Sequence, residues 1–192
     1  MLEQATDPAV FHPDPDPRAA HELVFVGNSR RVRRPIVDDL LPTSRDLAIW
    51  GADWEPLIGS EHIRGHYLPN DQVRRVYSSA GIVLNDHWED MRRHGYASNR
   101  LYDAVACGAL VISDRVDGIE ERFGGAVLTY GTRDELHALV EHQLANPAER
   151  AERGAAGREL VLAAHTFGHR VERLLELAHE ATGRTVPLAL VG

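Results

Sequence analysis

The sequence predicts an α/β protein: a doubly wound, Rossmann-like parallel sheet of about six strands, followed by C-terminal helices. Three observations carry that expectation. Six short apolar runs recur between residues 23 and 129, and the first two stop at Gly27 and Gly51. Stretches with helical spacing or capping signals separate them, which is the alternation of parallel βαβ units with helices on both faces. From Asp134 onward the pattern is helical only.

The elements follow in order. Residues 1–20 hold four of the ten prolines, with acids between them and no apolar period, so they read as an extended arm or interdomain linker. Leu23-Val24-Phe25-Val26 is a buried strand, a helix lies around Ile36–Leu41, and Leu47-Ala48-Ile49-Trp50 is the second strand. His62 to Tyr67 is a weaker strand. Pro69-Asn70-Asp71 then opens a helix whose Val73, Val76, Tyr77 and Ala80 share one face. Ile82-Val83-Leu84 is the fourth strand, Leu101–Cys107 a helix closed by Gly108, and Ala109-Leu110-Val111-Ile112 the fifth strand. A short helix at Ile119–Phe123 leads to the sixth, Ala126-Val127-Leu128-Thr129. Two stripes mark the tail: Leu136, Leu139, Val140 and Leu144, then Phe167, Val171, Leu174, Leu175 and Ala178. The expected organisation is an arm at 1–20, one Rossmann-like domain at 21–182 and a short tail at 183–192.

Composition narrows the function. With 192 residues the chain makes one domain, and its net charge of −8 disfavours a general nucleic-acid or anionic-membrane binder. The longest apolar run, Ala104 to Ile112, is far short of the ~20 residues that span a bilayer, and no signal pattern opens the chain. A single cysteine, Cys107, excludes an internal disulfide and fits a reducing cytoplasm.

Open parallel sheets bind ligands beyond the carboxyl ends of their strands. Gly27-Asn28-Ser29-Arg30 sits there after the first strand and continues into Arg31, Arg33 and Arg34. A glycine that admits a phosphate, the next helix start and guanidinium groups together suit an anion, although four arginines also suit a solvated surface helix. Asn85-Asp86-His87 follows the fourth strand. Ser98 or Asn99 caps the next helix, which would put Arg100 and Asp103 in its first turns. An ionised Asp103 can accept from two vicinal hydroxyls, as on a ribose, or serve the helix as a capping acid. A dinucleotide glycine motif, a P-loop and a nucleophile elbow are all absent from the sequence. Eleven histidines invite a metal, but Gly65 spoils the spacing of His62 and His66, and His87 and His94 lack a third ligand, so no metal is expected.

The segments TDPAVFHPDP, LVFVGNSRRVRRPIVDDL, LAIWGADW, HIRGHYLPNDQVRRVYSSAGIVLND and NRLYDAVACGALVISD together resemble the C-terminal lobe of a GT-B glycosyltransferase. The resemblance runs from Thr6 to Leu177 and is nearest to the CgeB-like (spore maturation protein) group of the group 1 glycosyl transferases. It implies a site for a nucleotide-diphosphate sugar, with no metal or other cofactor. Asp103 matches the second acid of the family's E-x7-E motif, which holds the ribose hydroxyls; the first acid would fall at Gly95, where this sequence departs. Arg33 stands where a basic residue grips the diphosphate, with Asn99 and Arg100 as further contacts and Gly27 and Asn28 in the loop beneath. Tyr67, in Gly65-His66-Tyr67-Leu68, lies in the base-binding segment, where it stacks on the base or simply packs; Asn85 and His87 fall near the sugar. The stretch at 7–13 resembles the interlobe linker. The expected protein is therefore a donor-binding lobe that needs an N-terminal acceptor-binding lobe and is inactive alone. The apolar tail Val186-Pro187-Leu188-Ala189-Leu190 would then face that lobe.

Two other classes stay open. One is a degenerate, non-catalytic Rossmann module, which the departure at Gly95 favours. The other is the donor lobe of a nucleotide-sugar epimerase. A nucleic-acid module built on Arg30–Arg34 ranks last, given the acidic total.

Overall fold

Strands buried on both faces must carry apolar side chains at successive positions, and the short runs do so. The computed structural model describes residues 2–183. Its strands are β1 (Leu23–Val26), β2 (Leu47–Trp50), β3 (Ile63–Gly65), β4 (Ile82–Asn85), β5 (Val111–Asp114) and β6 (Val127–Tyr130). They form one sheet in the order β3-β2-β1-β4-β5-β6 with every pairing parallel. The doubly wound Rossmann-like α/β architecture is the one the sequence predicts.

The described helices are α1 (Pro35–Leu40), α2 (Asn70–Ser79), α3 (Glu89–Arg93), α4 (Asn99–Ala106), α5 (Ile119–Phe123), α6 (Arg133–Ala145), α7 (Pro147–Ala164) and α8 (Phe167–Thr182). Alternation along β4 divides the core. Ile82 and Leu84 join Ile36, Leu40, Leu136 and Val140 under α1 and α6, while Val83 joins Val73, Leu101, Val105, Phe123 and Val161 under α2, α4, α5 and α7.

Four elements differ from expectation. β3 keeps only Ile63–Gly65 of the expected His62–Tyr67, because His62 closes a 3-10 turn over Ser60–His62. β5 starts two residues later than its apolar run, because Gly108 (φ 80°) and Ala109 are spent closing α4, with Ala109 N–H donating to Ala104 O at 3.1 Å. Helix α3 has no counterpart in the sequence pattern, since Glu89-Asp90-Met91-Arg92-Arg93 has no apolar period. The second tail stripe falls on α8, but that helix buries no residue: Phe167, Val171 and Leu174 are each about half exposed, at 54%, 49% and 49%. The apolar tail at 186–190 lies outside the described residues.

The N-terminal arm runs across the second layer. Ala5 and Thr6 are fully buried, Thr6 forms an isolated parallel bridge with Thr166, and Asp14 pairs with Arg74 and Arg75 of α2. No helix among the described residues is long and apolar enough to cross a membrane.

Candidate functional site

In this strand order the chain winds outward in opposite directions from β1 and β4, which leaves a crevice at their carboxyl ends. A cavity of about 310 Å³ occupies that crevice, lined by Gly27, Asn28, Arg30, Arg34, Asp86, Trp88, Met91, Ser98, Asn99 and Arg100. A larger cavity of about 590 Å³ lies beside His21, Glu22 and Gly81, at the opposite ends of the strands. Its Arg45 is already shared between Glu22 and Glu141, so the smaller crevice is the stronger candidate on chemistry as well as topology.

The loop after β1 is fastened from below. Gly27 O accepts from Trp54 Nε1 at 2.8 Å, Asn28 Oδ1 accepts from Ala52 N–H at 2.8 Å, and Ser29 Oγ donates to Asp53 O at 2.6 Å. A Cβ at Gly27 would meet Arg100 Nη2 at 2.5 Å, so a larger residue there would push that guanidinium aside. Arg30 and Arg31 follow in the left-handed region, at φ 55° and 60°, a strained conformation for two successive non-glycine residues. The Arg30 guanidinium stands 5.3 Å from the centre of the Trp88 ring, and among the described residues it has no carboxylate partner.

Pro35 then starts α1, with Arg34 at its N-cap. Arg34 is buried and grips both carboxylate oxygens of Asp86, with Nε to Oδ2 at 2.8 Å and Nη2 bonded to Oδ1, while its guanidinium lies 4.2 Å from the Trp88 ring centre. Arg33 turns outward to Asp38 at 3.0 Å and is exposed.

The opposite wall is the start of α4. Ser98 stands at its N-cap position but makes no capping bond to the helix: its N–H donates to His87 Nε2 at 3.0 Å, and its hydroxyl donates to Asn85 Oδ1 at 2.7 Å. His87 Nδ1 meets Asp114 Oδ1 at 2.6 Å; with Nε2 accepting, the proton is assigned to Nδ1. Burial pushes the Asp114 carboxyl up, but the hydrogen bonds from His87, together with Arg92, outweigh it and hold the group below the usual range. Arg100 donates to Val26 O at 2.8 Å and to Asn85 Oδ1 at 2.6 Å, lying over the Phe25 ring. One turn further on, burial pushes the Asp103 carboxyl up to about 7, opposed by hydrogen bonds from Thr6 and Asn99.

Of the residues named from sequence, Gly27, Asn28, Asn99 and Arg100 line the crevice. Asn85 and His87 lie buried beneath it and hold α4 in place. Asp103 is 8% exposed, with Oδ1 accepting from Thr6 and Oδ2 from Asn99. Asp103, Arg33 and Tyr67 do not line it; Tyr67 is 73% exposed on the loop after β3. Arg30, Arg34, Asp86, Trp88, Met91 and Ser98 complete the lining. The arginine run, the Asn85-Asp86-His87 loop and the Ser98 cap pointed to most of these positions; nothing in the sequence pointed to Trp88 or Met91. Gly95, where the motif's first acid is missing, has φ 67°, so a glutamate there would carry backbone strain as well.

The strand order defines a Rossmann-like α/β domain, with a cation-lined crevice at the switch point as its candidate site. The chain belongs to a glycosyl transferase-like family, whose sequence model matches residues 30–176. No curated protein matches it. Among solved structures it is similar to sucrose-phosphate synthase from Thermosynechococcus elongatus (20% identity, 95% of this chain and 52% of that one, TM-score 0.71). It is also similar to AviGT4, a glycosyltransferase involved in avilamycin A biosynthesis (17% identity, 96% of this chain and 58% of that one, TM-score 0.60). The spinosyn forosaminyltransferase SpnP follows at 16% identity, 90% of this chain and 47% of that one, with a TM-score of 0.51. These likenesses are likenesses of fold, and the chain spans about half the length of each structure.

Proposed function

We propose that this chain is the donor-binding lobe of a glycosyltransferase and holds a nucleotide-diphosphate sugar for transfer to an acceptor carried by a second, N-terminal lobe. The observation that carries the reading is the crevice between β1 and β4, where Arg30 meets the N-terminus of α4 without an internal counter-charge. The diphosphate lies against Gly27, the N–H groups at Asn99 and Arg100, and the Arg30 guanidinium, with Arg34 behind. Asp103, one turn along α4, accepts from the ribose hydroxyls, and the exposed Tyr67 ring supplies a surface for the base. The sugar extends toward Trp88 and Met91. As the glycosidic bond breaks, the charge on the departing diphosphate is met by fixed dipoles and guanidinium groups, so this reading calls for no metal ion. The lobe alone binds the donor and transfers nothing.

Calorimetric titration of the chain with UDP, GDP and TDP, and with their sugars, tests the reading. At least one should bind at or below millimolar concentration. Arg30→Ala should weaken that binding about ten-fold, because it removes one charge-assisted contact, while stability changes by less than about 0.5 kcal/mol. No binding of any of them at millimolar concentration overturns the donor-lobe reading. It would leave a non-catalytic module, the alternative that Gly95 favours.

A further inference from the structure

We infer that Thr6, on the N-terminal arm, is the positioning residue for the Asp103 carboxylate, so that ribose recognition depends on the docked arm. The inference rests on the reading of Asp103 as the ribose acceptor. Thr6 is fully buried although its segment has no apolar period to drive it inward. Its backbone is fixed at the joint between α7 and α8: Thr6 N–H donates to His165 O at 3.0 Å, and Phe167 N–H donates to Thr6 O at 3.1 Å. Its hydroxyl then donates to Asp103 Oδ1 at 2.8 Å across 97 positions of sequence. Asn99 Nδ2 donates to Oδ2 at 2.6 Å.

The terminal torsion of an aspartate is broad, so one hydrogen bond leaves the carboxylate free to turn. Two bonds on different oxygens, from elements that are themselves anchored, fix its plane. An ionised carboxylate offers about four acceptor directions, and Thr6 and Asn99 use one on each oxygen. One remains on each oxygen, which is the pattern a pair of vicinal hydroxyls needs. Asn99 belongs to the same helix as Asp103 and moves with it. Thr6 belongs to the arm, so through Thr6 the arm's position reaches the acid.

The test uses the full chain and three sets of probes: UDP, GDP and ADP; the 2′-deoxy form of whichever binds most tightly; and inorganic pyrophosphate. The ribose form should bind about ten-fold more tightly than its deoxy form, as expected for one hydrogen bond to a charged group. Thr6→Val should reduce that preference to about two-fold and leave pyrophosphate affinity within about two-fold of its starting value, since the diphosphate contacts are untouched. Thr6→Ser, which keeps the hydroxyl, should restore the preference. A Thr6→Val chain that keeps the full ribose preference overturns the inference and leaves the donor-lobe reading standing. Loss of pyrophosphate binding in both Thr6→Val and Thr6→Ala also overturns it, by showing that Thr6 serves only the fold. If pyrophosphate binds the unaltered chain but no ribonucleotide is preferred over its deoxy form, the ribose role of Asp103 fails first.

Discussion

The floor of the crevice and its outer loop are built on opposite physical terms. In the floor, Arg34 with Asp86, His87 with Asp114, and Asn85 with Ser98 and Arg100 are buried or nearly so, and they satisfy one another. Among the described residues, the buried side-chain polar atoms without a partner are the Tyr102 hydroxyl and Gln143 Oε1, and neither residue lines the crevice. Above the floor, Arg30 and Arg31 of the loop after β1 and Asp53 of the loop after β2 all have positive φ, and the Arg31–Asp53 pair is long, at 3.5 Å, and exposed. The floor therefore has its geometry settled by the protein's own bonds. The loop keeps its charges available and is held in shape by its neighbours against backbone preference. A ligand gains most from such a division: rigid dipoles below, and above them a cation with no internal carboxylate to give up on binding.

Cutting the floor should have the largest effect. Arg34→Ala leaves the buried Asp86 carboxylate without its cation, and breaking a buried pair by removing one partner costs about 3–5 kcal/mol. The urea midpoint of unfolding should fall accordingly. A loss below about 1 kcal/mol would mean that the pair behaves as a surface ion pair and that the floor is wetter than its burial indicates.

A different change in the same wall should raise stability. Asp103 has its folded pKa raised to about 7 from the usual 3.8, chiefly by burial. In the unfolded chain it loses its proton near pH 4, and in the folded chain near pH 7. Across that window the native state holds more protons than the unfolded one, so Asp103 lowers stability as pH rises, and the penalty is complete above the folded pKa. Asp103→Asn removes this titration. Relative to the unaltered chain, the variant should become more stable by up to about 3 kcal/mol between about pH 5 and about pH 8, read from paired denaturation curves. An unchanged difference across that range would mean that the carboxyl is solvated.

The same division explains what could be read from sequence. The strands are legible because residues buried on two faces must be apolar in succession, and the crevice because its loops follow those strands. Gly27, Asn28, Asn99 and Arg100 needed nothing more. Among Arg30, Arg31, Arg33 and Arg34 the resemblance selects Arg33, yet Arg33 turns outward to Asp38 while Arg30 and Arg34 line the crevice, because side chains in such a run are separated only by the phase of α1 and by backbone angles at Arg30 and Arg31. Trp88 is hidden in a polar loop whose helix α3 has no period. Thr6 is the extreme case: its partner lies 97 positions away, and a single long-range hydrogen bond leaves no local pattern.

The smallest effect should come from relaxing the outer loop. Arg31 holds φ 60°, and its side chain is 83% exposed, with only the long contact to Asp53. A left-handed conformation costs an L-residue about 1–2 kcal/mol, which glycine avoids. Glycine also adds about 0.5–1 kcal/mol of backbone entropy to the unfolded chain. The exposed ion pair contributes between nothing and about 1 kcal/mol. These terms nearly cancel, so Arg31→Gly should shift stability by no more than about 0.5 kcal/mol in either direction. Donor binding should stay within about two-fold, because Arg31 does not line the crevice. A loss above about 1 kcal/mol would show that Arg31 supports the loop by more than its exposed contact. The outer loop would then share the floor's construction, and the contrast between them would fail.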